Sequence, residues 1–477
     1  MEVHASRREE PGRWGRAVVI GGAYGGLVAA RVLSDHFAEV VVLERDRVDA
    51  DTGAHAHAPQ GYHAHAMLAK GAQVLEQYFP GLRDELQDLG APVFDYGEGT
   101  VFLLPDGYAP RCRTGVLIQT FTRDELERLL RQRVLALPGA RILSETRCDG
   151  LLMEPGSGRV RGVRYQAAEP AGEGDSGEAA QLEADLVVDA SGRSSALDDW
   201  LRQAGVDVPE RRVVKAKITY TTMIFPRGED AGADYEVAYQ MMFAPHIPEG
   251  GVILAVERGR WTCSLFGLDD RMPPTDDAGF ERFAEALDNP RMSDQLGRRT
   301  AQEPVRRYTN VNNQWRPYHS CKQWPERLIA LGDAVCVFNP IYGQGLTVAA
   351  MEADLLHRTL ADRAARGRGL DGLSAGYQRG VARIVLAPWT LSSNSDLMWS
   401  TERRPLSARF AHWYNNRVLN VAVRDPAVWT SFAKVANMVA APTALLRPSV
   451  LAKALTRGGK PAERTEAAAE ASTTAAV

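Results

Sequence analysis

The stretch "AVVIGGAYGGLVAARVL", residues 17–33, sets two glycine pairs around Ala23 and Tyr24 inside an apolar run. "RAVVIGG" has the character of a short parallel strand buried on both faces and closed by glycine. "GGLVAARVLSDHF" then carries apolar residues at helical spacing, and "EVVVLERD" (39–46) is a second buried strand ending in acid. The chain therefore opens with a strand–helix–strand unit. Its turn, Gly21-Gly22-Ala23-Tyr24-Gly25-Gly26, meets the pattern GxGxxG at the first and third positions. Ala23 stands where a second glycine would let the backbone approach a pyrophosphate, and one methyl is a small obstacle. The helix start offers free N–H groups and a positive dipole end to phosphate. Glu44 closes the second strand 23 residues after Gly21, where an acid accepts from an adenosine ribose. A membrane span competes for residues 17–33, but four glycines and Arg31 interrupt a stretch already short of the ~20 apolar residues required.

Composition narrows the function classes. The 477 residues suffice for two or three domains, and 45% hydrophobic with 24% charged is ordinary for a globular chain. A net charge of -4 without a basic run gives no footprint for nucleic acid. Five scattered cysteines with no CxxC pair argue against a disulfide framework or zinc site, and for a reducing compartment. The first 16 residues are charged and lack a signal-peptide core, so a cytoplasmic protein is expected.

Further along, "TRDELERLLRQRVLAL" (122–137) has the marks of a helix capped by Thr122, with Glu125 three residues on. Strands are expected at 140–153, 159–167 and 182–192, with an exposed hairpin insert at 168–181. From 212 to 268 the chain turns β-rich and more aromatic, which predicts a separate antiparallel sheet. The expected organisation is a flexible tail (1–16), a first part of a nucleotide-binding domain (17–210, with 85–120 assignable to either domain), and a β-rich substrate domain (211–300). A second part of the nucleotide-binding domain (301–375), a C-terminal helical region (376–457) and a disordered tail (458–477) follow.

A second motif selects the dinucleotide. In "RLIALGDAVCVFNPIYGQGLTVAAMEADLL" (327–356) a buried strand ends at Gly332-Asp333, and a loop with Gly343, Gln344 and Gly345 enters a helix. An acid after a strand can accept from a ribityl chain, and the helix start can hold N–H groups against a flavin N1–C2=O edge. FAD has both groups. NAD has neither.

With these motifs the chain resembles the flavin-dependent monooxygenases of the para-hydroxybenzoate hydroxylase type, over roughly residues 16–455. The carrying stretches are the first turn with Glu44, "TRDELERLL", "DLVVDASGRSS" (185–195) and "LGDAVCVFNPIYGQGLTVAA" (331–350). "PQGYHAHAML" (59–68) and "RDPAVW" (424–429) are most similar to bacterial polyketide-tailoring enzymes, including polyether epoxidases. The resemblance implies an α/β fold: a Rossmann-like FAD-binding domain with an inserted antiparallel substrate sheet and C-terminal helices. It places pyrophosphate on Gly21–Gly26 and ribose on Glu44 beside Arg45. Arg123 falls at the phosphate or ribityl region, Asp333 at the ribityl hydroxyls, and Gly343–Gly345 at the ring edge. It further implies oxygen delivery from a flavin C4a-hydroperoxide to a small apolar polyketide, terpenoid or aromatic substrate. NAD(P)H would supply the electrons, directly or through a separate flavin reductase.

One departure bears on that supply. The family's middle motif carries an Asp-Gly pair serving both FAD and the nicotinamide donor, whereas this chain has Ser191-Gly192, with Asp189 two residues earlier. Other features have plainer readings. No nearby cysteine or acidic cluster completes a metal shell around His55, His57, His63 and His65, so no metal is expected. His63 or Gln60 is expected near the flavin instead. Met241, Met242 and Phe243 suit a substrate wall or a sheet core equally. "VANMVAAPTALL" suits a packed helical cover better than a membrane contact. No side chain stands out as a base, which favours alkene epoxidation over phenol hydroxylation. A reductase of a prenyl or polyene chain is the alternative reaction, and a non-catalytic flavin-binding protein the alternative class. A flavin halogenase lacks support, because WxWxIP is absent, as is the G-x-S-x-G elbow of a hydrolase.

Overall fold

Trp14–Ile20 (β1) ends in four consecutive buried residues, so both of its faces must be covered. Helix Tyr24–Leu33 (α1) leads from it to Phe37–Leu43 (β2). The helix Arg123–Leu135 (α2) precedes Ala140–Leu143 (β3), and Leu186–Asp189 (β4) and Leu328–Ala330 (β5) complete a five-stranded sheet in the order β5-β4-β1-β2-β3. Every pairing is parallel, with Ala17 opposite Leu186 on one side and Val40 on the other. The chain moves outward from β1 to β3 and then returns to the opposite side of β1. That reversal makes the carboxyl ends of β1 and β4 the crevice where open α/β sheets hold ligands. The computed structural model describes residues 13–459 apart from 54–58, 168–178, 216, 229–232, 300–302, 310 and 400–404. His55, His57, most of the expected 168–181 insert and the tail beyond 459 lie outside the described residues.

One apolar core joins this sheet to α1, α2 and the helix Gly345–Ala365 (α3), through Leu27 and Val28, Leu126 and Leu130, and Ala353 and Leu356. Thr122 caps α2 by accepting the Glu125 N–H at 3.4 Å. Only half of the expected reciprocal box forms. The Thr122 N–H donates to Glu257 at 2.9 Å, while Glu125 pairs with Arg128 and Arg258.

The β-rich region forms a seven-stranded sheet, but its membership corrects the expected 212–268. Thr100–Leu104, Gly107–Tyr108 and Arg306–Tyr308 join Ile218–Pro226, Val237–Gln240, Glu249–Val256 and Arg260–Leu268. One seam, Thr100 against Val237, is parallel, so the sheet is not wholly antiparallel. Arg212–Val214 pairs instead with Asn313–Trp315, in a sheet shared with Cys336–Val337. Of the expected tail 1–16, residues 1–12 lie outside the described residues, and Trp14–Arg16 belong to β1. Helices Leu373–Leu397 (α4), Leu406–Ala422 (α5), Pro426–Ala436 (α6) and Pro448–Arg457 (α7) follow. Val418 and Leu419 of α5 and Trp429 of α6 pack with Phe102, Leu104 and Tyr239 of the sheet, so this region is a packed cover. No helix among the described residues is long and apolar enough to cross a membrane.

Two glycines are sterically obligatory in the first turn. Gly21 has φ +99°, and a Cβ there would lie 2.6 Å from the Ala190 carbonyl oxygen. A Cβ on Gly26 would lie 1.8 Å from the Gly21 carbonyl oxygen, whereas one on Gly25 meets nothing nearer than Leu331 Cδ1 at 3.6 Å. Gly26→Ala should therefore destabilise the protein by at least about 1–3 kcal/mol in urea unfolding. Gly25→Ala should be neutral or stabilising by up to about 1 kcal/mol, through helix propensity alone.

Candidate active site

The start of α1 is held by two carboxylates. Gly22 N–H donates to Glu44 Oε2 at 2.7 Å and Asp46 N–H to Glu44 Oε1 at 2.8 Å. Tyr24 N–H donates to Glu127 Oε1 at 3.0 Å, and Arg123 Nε donates to the same oxygen at 2.7 Å. Arg123, the first residue of α2, is thereby fixed against the first turn of α1. Burial works against its charge, but Glu127, aided by Asp333, more than restores it. Glu44 accepts from these amides and lines the cavity described below.

The turn after β5 is held as tightly. Gly332 takes φ +64° and donates its N–H to Glu352 Oε2 on α3 at 2.5 Å. Burial pushes the Asp333 carboxyl up, and the positive charges of Arg123, Arg193 and Arg316 oppose the shift. Arg316, buried, donates to the carbonyls of Ala334 at 3.1 Å and Arg193 at 2.8 Å, which ties the turns after β4 and β5 together. Downstream, Asn339 accepts from Ile341 N–H at 3.2 Å and from Tyr220 OH at 2.6 Å, so the loop 339–345, the expected ring-side loop, is bonded to the seven-stranded sheet. Asp396 of α4 accepts from Tyr342 OH at 2.8 Å, Asn339 Nδ2 at 3.1 Å and Asn313 Nδ2 at 2.5 Å. Burial raises the Asp396 carboxyl to about 6 against these three donors.

These turns open on one cavity of about 1300 Å³. Gly21, Ala23, Tyr24, Gly25, Glu44, Arg45, Arg123, Asp333, Gly343, Gln344 and Gly345 all line it. Gly22 and Gly26 stand behind the wall as structural members of the turn. The volume exceeds the ~300–1000 Å³ usual for one small ligand, leaving room for a cofactor and a second molecule. The lining fits a flavin dinucleotide. Gln344 Oε1 and Arg193 Nη1 are buried at this wall without a hydrogen-bond partner among the described residues, and a bound group can satisfy both.

Several side chains were not legible as site residues. Glu127, Arg316, Glu352, Asn339 and Asp396 act on the cavity through other residues, and no local motif announces them. Ser191 lines the cavity but donates both its N–H (3.0 Å) and its hydroxyl (2.5 Å) to Asp189. Asp189, fully buried, also accepts from Ser195 at 2.5 Å and does not reach the cavity. His63 lines it, while His65 donates Nδ1–H to the His63 carbonyl at 2.7 Å. No group of three potential metal ligands gathers among the described residues. Met241, Met242 and Phe243 serve both roles open to them, packing in the sheet clusters while facing the cavity.

A sequence profile of the FAD binding domain matches residues 16–387. The chain belongs to this family of flavin-dependent monooxygenases. It is 31% identical to the Mycobacterium tuberculosis protein Rv3254 over 434 residues, 86% of this chain and 87% of that one. It is 26% identical over 420 residues to kynurenine 3-monooxygenase from Salinispora arenicola, covering 83% of each. Among solved structures, Pseudomonas aeruginosa PqsL in complex with 2-aminobenzoylacetate superposes with a TM-score of 0.60 at 18% identity, over 80% of this chain and 98% of that one.

Two outcomes follow for the FAD site of this flavoenzyme. Asp333→Ala should weaken FAD binding by about 10- to 100-fold in fluorescence titration, since a charge-assisted acceptor is worth about 1.5–3 kcal/mol. Glu352 gives a pH signature, because burial, with Asp333 adding and the Gly332 bond opposing, pushes its carboxyl up to about 8 from 4.5. Between those values the folded chain holds a proton that the unfolded chain has released. This contribution to stability falls as pH rises and is lost above about 8. Melting temperatures from pH 5.5 to 8.5 should accordingly decline more in the wild type than in Glu352→Gln.

Proposed function

We propose that the protein transfers one oxygen atom of O2 to an apolar polyketide, terpenoid or aromatic natural product in the cytoplasm, by alkene epoxidation or hydroxylation. NAD(P)H supplies two electrons, directly or through a separate flavin reductase, and the second oxygen atom leaves as water. The observation that carries this reading is the continuity of the cavity. It begins at the Gly21 turn, passes Asp333 and Gly343–Gly345, and ends between the seven-stranded sheet and the C-terminal helices. Bound FAD, when reduced, supplies the oxygen activation; the side chains supply position and dryness.

The far wall is apolar and aromatic. Ile218 and Phe266 come from the sheet, Met242 and Phe243 from the segment that follows its strand Val237–Gln240, and Phe432 closes the wall from α6. These side chains favour an apolar substrate and keep water from the reacting centre. The Tyr220–Asn339 bond joins this wall to the ring-side loop.

Two titratable groups at the cavity, His63 and Tyr308, are poorly placed to serve as the base of a phenol. Burial pushes the His63 imidazole down to about 4 and the Tyr308 hydroxyl up. A base for a phenol works best with a pKa near the operating pH, and neither group is so placed. Epoxidation needs no such base. The resemblance of residues 59–68 and 424–429 to polyketide-tailoring enzymes supports the same choice. Anaerobic reduction of the holoprotein, then addition of ¹⁸O2 with candidate polyenes, should give product carrying one labelled oxygen by mass spectrometry. Release of hydrogen peroxide with every polyene would sink the proposal.

NADPH alone should bleach the oxidised-flavin band slowly in stopped flow, and an added flavin reductase should restore turnover. Ser191 is committed to Asp189 and has no donor left to orient a nicotinamide. Misplacement by about an ångström can cost 10²-fold in hydride transfer. Rapid, substrate-stimulated bleaching would make the protein self-sufficient.

A further inference from the structure

His63 stands at the end of a hydrogen-bonded chain that crosses the substrate sheet. Its Nδ1 lies 2.7 Å from Thr222 Oγ1, which lies 2.6 Å from Ser264 Oγ, which accepts the Ala64 N–H at 3.2 Å. Thr222 and Ser264 are directly opposed on neighbouring strands, and both are buried. Nε2 has no partner among the described residues, and the ring lines the cavity beside Tyr308, whose centroid is 5.2 Å away.

The direction of this chain follows from counting donors. If His63 Nδ1 carried the proton, it would donate to Thr222, Thr222 to Ser264, and the Ser264 hydroxyl would be a buried donor with no acceptor among the described residues. That costs about 1–3 kcal/mol. In the opposite direction every group is satisfied. Ala64 donates to Ser264, Ser264 to Thr222, and Thr222 to an unprotonated Nδ1. The single ring proton then sits on Nε2, facing the cavity. A histidine serving only to fill space would have both nitrogens engaged.

We propose that His63 is a specificity-determining residue whose Nε2–H donates a hydrogen bond to a carbonyl or carboxylate oxygen on the substrate, fixing which carbon is presented for oxygen transfer. Such a substrate is an oxygenated polyene rather than a plain hydrocarbon. Burial, which pushes the imidazole down to about 4, keeps the ring neutral and the donor single at neutral pH. The isoalloxazine carbonyls are acceptors of the same chemistry. The substrate is favoured because the chain is anchored on the sheet face shared by Tyr220 and Phe266. The tautomer is independent of the activity proposed above; the substrate assignment rests on it.

Histidine-¹⁵N correlation spectra of the holoprotein at pH 7, with the His63 signals identified by their absence in His63→Phe, test the tautomer. The expected pattern is a pyridine-type Nδ1 and a pyrrole-type Nε2, giving way to mixed tautomers in Thr222→Val. A pyrrole-type Nδ1 in the wild type would overturn the inference at its root. Titration of the holoprotein with farnesylacetone and β-farnesene, followed by the flavin difference spectrum, tests the partner. The ketone should bind about five- to tenfold more tightly than the hydrocarbon, and His63→Phe should abolish the difference without changing FAD affinity. Equal affinities, or failure of the ketone to bind, would remove the substrate assignment. A changed FAD affinity in His63→Phe would move the donor to the flavin. Loss of oxygen transfer with the ketone preference intact would instead count against the proposed reaction.

Discussion

The fold depends on a close approach of backbone to backbone. The turns after β1 and β4 are pressed together so tightly that the Ala190 carbonyl occupies the space a side chain on Gly21 would need. Arg316 then binds the turn after β4 to the turn after β5 through their carbonyls. Three strand ends thus become one rigid rim, and the cavity is what remains open beneath it. The cost of burying Arg316 is met by backbone dipoles and by Asp198, 3.5 Å away. A buried guanidinium with planar donors suits this task, because it can reach two loops at once.

What was legible in the sequence was local. The glycine spacing of 21–26, the cap at Thr122 and the Gly332-Asp333 turn each depend on residues within one turn of one another, and Glu44 on its place within a single strand–helix–strand unit. All lie close to where periodicity and capping chemistry put them. The seven-stranded sheet was only partly legible, because strand membership is a long-range property. Thr100–Leu104 joins Val237–Gln240 across more than a hundred residues, and nothing in "TVFLL" specifies that partner. Arg212–Val214 has the composition of the neighbouring strands yet finds its ladder at Asn313–Trp315. The positioning residues were illegible for the same reason. Glu127, Glu352 and Asp396 act on atoms supplied by distant segments.

The serine at 191 shows how a small departure changes the chemistry of a turn. An aspartate there would carry its own charge to the cavity. Here the charge lies two residues earlier, on Asp189, where Ser191 and Ser195 close over it from both sides. Burial raises the Asp189 carboxyl while those hydroxyls and Arg316 oppose the shift. The turn keeps its shape, as Gly192 at φ +81° and Arg193 remain at the wall. What it loses is a negative group facing the ligand.

Asp396 joins the remaining parts into one mechanical unit. It sits on α4, yet its donors come from the ring-side loop (Asn339, Tyr342) and from the strand at Asn313. Through Asn339 the network reaches Tyr220 on the substrate sheet. Helix α4, the loop 339–345 and, through Asn339, the seven-stranded sheet are therefore tied to a single buried carboxylate. With its carboxyl near 6, that group is mainly ionised at neutral pH, and each of its donors is held because the anion needs it. A displacement of the substrate wall must stretch the Tyr220 bond or carry Asn339 along. The loop 339–345 and the seven-stranded sheet are thus joined twice, by the Tyr220–Asn339 hydrogen bond and by Ile341 packed in the apolar cluster of Tyr220 and Phe266, and a reaction that depends on ångström-scale placement benefits from such a double tie.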